Sequence, residues 1–175
     1  MGTGKTTLAR ALGEALGWTA IHSDAVRKTM AGLAPTDRAR LEFGKGIYAD
    51  DFSTRTYAEM CRLAGDHLAA GRSVILDASY KRAAERDLVR QLAREHGAGV
   101  ALVYCECAPQ VARARLGIRR TDPAAISDGR VELFEAQGRD FDPLGPGDRP
   151  LLRLDTGREI QVVLEELKSF VQSYL

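Results

Sequence analysis

The stretch Gly2-Thr3-Gly4-Lys5-Thr6-Thr7 runs straight into Leu8, Leu12 and Leu16, which recur at i, i+4 spacing ahead of Gly17. The spacing predicts a helix over 6–16, stopped by the glycine. A glycine-rich loop that opens directly into a helix is an arrangement for holding phosphate. Glycines let successive backbone N–H groups curl around oxygens, and the helix N-terminus adds partial positive charge at the same spot. The full motif is G-x-x-x-x-G-K-[ST], and Gly4, Lys5 and Thr6 fill its last three positions. Its first glycine would fall ahead of Met1. On this reading Gly2, Thr3, Gly4, Lys5, Thr6 and Thr7 surround the phosphates of ATP. Lys5 reaches the β- and γ-phosphates, and the Thr6 hydroxyl binds Mg²⁺. The bland alternative is a glycine-rich segment that merely precedes a helix, and the residues downstream weigh against it.

Ser73-Val74-Ile75-Leu76-Asp77 is an apolar run that ends in an acid. Such a run predicts a strand buried on both faces. A carboxylate at its end, paired with Lys5 and Thr6, is the second group expected to hold Mg²⁺. A shorter strand is predicted over 18–22, followed by Ser23-Asp24-Ala25-Val26-Arg27-Lys28 and a helix over 25–33. Ligands of open α/β sheets sit at the carboxyl ends of strands. Asp24 therefore stands where a base could take the proton of an attacking hydroxyl. Arg27, three residues on, could clamp an anionic group of the acceptor or orient Asp24. The alternative is that Ser23 or Asp24 only caps the helix and Arg27 is solvated.

Further along, Ser53 is expected to cap a long helix with Tyr57, Cys61, Ala64 and Leu68 on one face. A helix is predicted over 81–96, a buried strand over 100–105, and a helix from Pro109 to about residue 116. Arg113, Arg115, Arg119 and Arg120 crowd one helix end before Thr121-Asp122-Pro123. Arginines stabilise the charge that spreads over oxygens in phosphoryl transfer, so this stretch reads as a lid over about 113–140. Arg115 and Arg119 are the candidates for a catalytic role, and Arg115 and Arg120 for contact with ATP. Another helix is predicted over 128–137, then a loop, a strand over 151–155 and a closing helix over 159–174.

The alternation of strands and helices predicts one α/β domain over 1–175 with a parallel sheet. With 45% hydrophobic residues the chain can build a core, and its formal net charge of +1 gives no field for a polyanion. Nucleic acid is thus not an expected partner. No run is apolar and long enough for a transmembrane helix, and Cys61, Cys105 and Cys107 read as thiols in a reducing cytoplasm.

These residues resemble the kinase-like branch of P-loop proteins often labelled AAA-type ATP-binding domains. That branch is similar to zeta toxins, gluconate kinases and polynucleotide kinases. The resemblance spans nearly the whole chain. It rests on Gly4-Lys5-Thr6, Ser23-Asp24-x-x-Arg27-Lys28, Phe43-Gly44-x-Gly46-Ile47-Tyr48, Thr54-x-x-Tyr57, Ala70-Gly71-x-Ser73-Val74-Ile75-Leu76-Asp77-Ala78, the arginines from Arg113, Gln137, Phe141-Asp142-Pro143-Leu144 and Asp155-Thr156. It implies a P-loop NTPase three-layer sandwich with a sheet of order 2-3-1-4-5 and a helical lid. It implies an Mg-ATP site, Asp24 as general base, the 113–120 arginines as lid, and Asp155-Thr156-Gly157 near adenine. Domains of this kind often follow an aminoglycoside-phosphotransferase-like domain in a fusion.

The first, central strand of that order is absent from these 175 residues. An apolar strand ending in the missing glycine is expected upstream of Met1, and without it the sheet should split between its third and fourth strands. The expected activity is transfer of phosphate from Mg-ATP to a hydroxyl of a small molecule. The rival is an ATP-binding regulatory module of a fusion with little turnover. A GTPase would need an Asn-Lys-x-Asp guanine reader, and the sequence has none.

Overall fold

The computed structural model describes residues 2–34, 50–119 and 140–174. The elements are α1 (Lys5–Leu16), β1 (Thr19–His22), α2 (Ser23–Met30), α3 (Asp50–Ala69), β2 (Val74–Asp77), α4 (Ala83–Glu95), β3 (Leu102–Glu106), α5 (Pro109–Arg119), a 3₁₀ turn at Pro146–Asp148, β4 (Leu151–Asp155) and α6 (Ile160–Gln172). Helix α1 ends as expected, with Gly17 in the left-handed conformation at φ 68°. The predicted helix over 128–137 and most of the lid lie outside the described residues, as do Arg130, Glu132, Glu135 and Arg139.

The strands form two parallel pairs. Thr19–His22 runs beside Val74–Asp77, and Leu102–Glu106 beside Leu151–Asp155. Among the described residues no ladder joins β2 to β3. Both β2 and β3 border a cavity of about 1040 Å³ that also reaches the phosphate loop. This corrects one expectation. Val74, Ile75 and Leu76 were expected to be buried on both faces, yet they are half-buried, because one edge of their strand opens on that cavity.

The apolar residues sort into two cores. One gathers Ile21, Val26, Tyr57, Met60 and Ala64 between β1, α2 and α3. The other gathers Leu8, Leu12, Leu154, Val163, Leu164 and Leu167 between α1, β4 and α6. Helix α1 touches β1, β2 and α6, so it belongs to both halves. Its glycine at position 13 makes the crossing close, since a Cβ there would lie 2.8 Å from the Trp18 carbonyl oxygen.

Helix α3 starts earlier than expected. Ser53 lies inside its first turn and does not cap it. Asp51 falls in that turn too, where the helix dipole favours an acid. The Ser53 hydroxyl instead accepts a hydrogen bond from Arg27 Nη1 at 3.1 Å.

Candidate active site

The phosphate loop is shaped by two residues that must be glycine. Gly2 and Gly4 hold φ of 69° and 74°, a region that L side chains rarely adopt. A Cβ on Gly2 would meet the Ala112 carbonyl oxygen at 2.8 Å. Gly4 caps α1 with no side-chain hydrogen bond, and the first turn of α1 holds no acid. Its leading N–H groups therefore meet no anionic side chain of their own turn, which suits a phosphate. Lys5 Nζ makes one long contact, 3.4 Å to Thr3 Oγ1. Among the described residues it has no carboxylate partner, so its charge is available to an anion.

Two elements converge on Asp77, the last residue of β2. Thr6 Oγ1 donates to its Oδ2 at 2.7 Å, and His22 Nδ1 lies 2.8 Å from the same oxygen. Burial pushes the Asp77 carboxyl up, but the hydrogen bonds from His22 and Thr6 and the charges of His22 and Lys5 outweigh it. The carboxyl sits below its ordinary range and is ionised at neutral pH. A hydroxyl and an ionised carboxylate at an open helix N-terminus form a hard oxygen donor set that fits a divalent cation.

Asp24 and Arg27 line the same cavity as Lys5, Thr6 and Asp77. Asp24 stands in the first turn of α2, because β1 ends at His22 and the helix follows without a loop. The cap position belongs to His22, so neither Ser23 nor Asp24 fills it. Arg27 is not solvated either, at 7% exposure.

On the other face of the phosphate loop, Thr156 ties three segments together. Its backbone N–H donates to the Glu106 carbonyl at 2.8 Å. Its hydroxyl lies 2.9 Å from the Thr3 carbonyl and 3.1 Å from that of Glu106. Arg115 donates to the Thr156 carbonyl at 2.7 Å and to its hydroxyl at 3.3 Å. Thr7, Arg115 and Thr156 border a smaller cavity of about 280 Å³ with the apolar Leu8, Ile118 and Ile160. Arg113 is exposed on α5. Arg120 and the side chain of Arg119 lie outside the described residues.

The sequence profile of the AAA domain family matches residues 1–144. The chain belongs to that family. The AAA domain is also 28% identical over 157 residues to uncharacterised proteins of Mycobacterium bovis and Mycobacterium tuberculosis. That match covers 85% of this chain and 31% of theirs, so the chain spans about a third of the length of those relatives. Its fold is similar to a sugar kinase from a Janibacter species, with TM-score 0.71 and 17% identity over 98% of this chain and 89% of that one. It is similar also to a gluconokinase from Sinorhizobium meliloti, with TM-score 0.66 and 20% identity over 99% and 89%. The architecture is thus that of the P-loop kinase folds. No helix of the described residues is long and apolar enough to cross a membrane.

Sequence reasoning missed three parts of this AAA domain. One is His22 on Asp77. A second lies at the C-terminal end of β2. Tyr80 is held at φ 43°, with its N–H on the Tyr57 hydroxyl at 3.3 Å and its carbonyl on Arg86 Nη1 at 3.0 Å. The Tyr57 hydroxyl also meets Ser79 Oγ at 3.0 Å, and burial pushes its pKa up to about 12. The third is an ion cluster in which Arg86 donates to Asp148 Oδ1 at 2.7 Å while Arg90 reaches the same oxygen. Only His22 carried a signal. It ends one strand as Asp77 ends the other, and two parallel strands aligned at their C-terminal ends set those residues side by side.

Proposed function

We propose that this AAA domain transfers the terminal phosphate of ATP to a hydroxyl group of a small molecule. The observation that carries the reading is the meeting of Thr6 and Asp77 at the start of α1, where no side chain caps the helix, in one cavity with Asp24 and Arg27. The residues fit a magnesium–nucleotide. Such a cation, when bound, neutralises charge on the transferred group. Thr6 and Asp77 would hold it. The N–H groups after Gly2 and Gly4 and the Lys5 ammonium would bind the phosphates. Thr7, Arg115 and Thr156 border an apolar space suited to the base, and Arg119 and Arg120 are the proposed lid arginines.

Asp24 would accept the proton of the acceptor hydroxyl, with Arg27 fixing the wall against which the acceptor lies. The solved neighbours carry the names sugar kinase and gluconokinase, which supports a hydroxylated acceptor. The test measures ATP consumption by the purified chain across hydroxyl compounds, beside the Asp24→Asn variant. Loss of general-base catalysis should slow turnover roughly 10²–10⁴-fold while ATP affinity stays. A variant that turns over like the unchanged chain would leave Asp24 without this role. Tight ATP binding with no turnover on any acceptor would favour a regulatory module.

A further inference from the structure

We infer that His22 is a positioning residue for Asp77. It fixes the carboxylate through Oδ2 so that Oδ1 faces the divalent cation that accompanies the nucleotide. This rests on the nucleotide reading above and adds a residue that the phosphate-loop motif does not contain.

The geometry begins in the strands. His22 and Asp77 are the last matched pair of the β1–β2 ladder. Paired residues on adjacent strands point to the same face, so the imidazole lies beside the carboxylate. An aspartate alone at a strand end turns freely, since its terminal torsion has a broad, two-fold profile. Here Thr6 from α1 and His22 from β1 both hold Oδ2, at 2.7 and 2.8 Å. Among the described residues no donor reaches Oδ1. One oxygen is therefore occupied from two directions, and the other remains for a cation or its water.

Burial strengthens the arrangement. The side chains of His22 and Asp77 are 14% and 7% exposed, so water competes poorly for the bond. A carboxylate only accepts, which places the imidazole proton on Nδ1. His22 also occupies the cap position of α2, the helix that carries Asp24. Its backbone thus starts the acceptor-side helix while its ring holds the cation-side acid.

Groups that orient a metal-binding residue typically change metal affinity 10–100-fold when removed. The experiment compares the unchanged chain with His22→Asn, His22→Gln and His22→Phe. An Asn amide puts an N–H where Nδ1–H stands, Gln puts it farther out, and Phe keeps the ring without a donor. Mn²⁺ uptake in the presence of ADP is read by electron paramagnetic resonance of the free ion, and the melting temperature is read without ligands.

The expected result is Mn²⁺ affinity lowered about 10–100-fold in Phe and Gln and largely regained in Asn. Metal-free ADP affinity should stay within about two-fold of the unchanged chain, because the phosphate loop is untouched. Equal Mn²⁺ affinity in Phe and the unchanged chain would overturn the inference. So would equal loss in Asn and Phe together with equal loss of melting temperature, which would make the histidine a packing residue. If the unchanged chain binds ADP but takes up no Mn²⁺ with it, this role fails alone. If it binds neither, the nucleotide reading fails with it.

Discussion

Arg115 grips Thr156 twice, through its carbonyl at 2.7 Å and its hydroxyl at 3.3 Å, while the same hydroxyl reaches the Thr3 carbonyl at 2.9 Å. The helix α5 is thereby stapled to the phosphate loop through the end of β4. Thr156→Val keeps the shape and deletes the hydroxyl. It leaves the half-buried Thr3 carbonyl without its donor, which should cost about 1 kcal/mol in urea unfolding. Thr156→Ser should recover most of that loss. Destabilisation by Ser with none by Val would assign the effect to packing of the methyl group.

Lys5→Ala should leave the melting temperature within a few degrees of the unchanged chain, because Lys5 makes only the long contact to Thr3. Its ammonium is the proposed partner of phosphate oxygens, and hydrogen bonds to charged groups are worth about 1.5–3 kcal/mol. ATP affinity by isothermal titration should therefore fall roughly 10–100-fold. An unchanged affinity would remove Lys5 from the site.

Asp148 should make the fold acid-sensitive. Burial raises its pKa, but the Gly145 N–H and the guanidinium groups of Arg86 and Arg90 lower it further, so the carboxyl is held below its ordinary value. An unfolded aspartate titrates near about 3.9. The folded state thus prefers the ionised form. Its contribution is complete above that unfolded value and is lost as pH falls through the folded pKa. Asp148→Asn should flatten the loss of stability between about pH 5 and pH 2. At neutral pH the variant should be less stable by on the order of 3 kcal/mol, because Arg86, at 4% exposure, keeps its charge without its partner. Parallel pH profiles for the two proteins would rule out this linkage.

Gly13→Ala sets two effects against each other. Alanine favours a helix over glycine by about 1 kcal/mol. Its Cβ would lie 2.8 Å from a backbone oxygen, that of Trp18, which has no rotamer by which to move aside. Overpacking of this kind costs typically about 1–3 kcal/mol, so the clash should win. The only tryptophan of the chain adjoins the clash, and its fluorescence should shift along with a lower urea midpoint. A stabilised variant would mean that β1 can slide.

The sequence made the local features legible and left the distant pairings hidden. Gly4, Lys5 and Thr6 announce the loop because glycine torsions and a helix start leave a linear trace. The strand over 151–155 agrees residue for residue, since an apolar run between a Pro-rich loop and a turn has few other uses. Burial of β2 was misjudged because apolar content tells which side chains resist water and does not tell what stands beside them. Arg86 and Asp148 are 62 positions apart, and no periodicity connects them. Ser53 looked like a cap because nothing local distinguishes a serine that caps a helix from one that serves as the acceptor for Arg27.

Helix α1 packs its leucines into the core of β4 and α6 and also touches β1 and β2, while no strand ladder joins the two strand pairs among the described residues. It starts in the loop proposed to hold phosphate. Whatever binds there acts on a helix in contact with both halves, so ligand occupancy and cohesion of the domain are thermodynamically linked. A ligand at a hundred times its dissociation constant adds about 2.7 kcal/mol to any fold that binds it only when folded. For a domain with a total of about 5–15 kcal/mol, that is a large increment. Nucleotides and candidate acceptors can therefore be ranked by the temperature at which the protein melts, before any reaction has been observed.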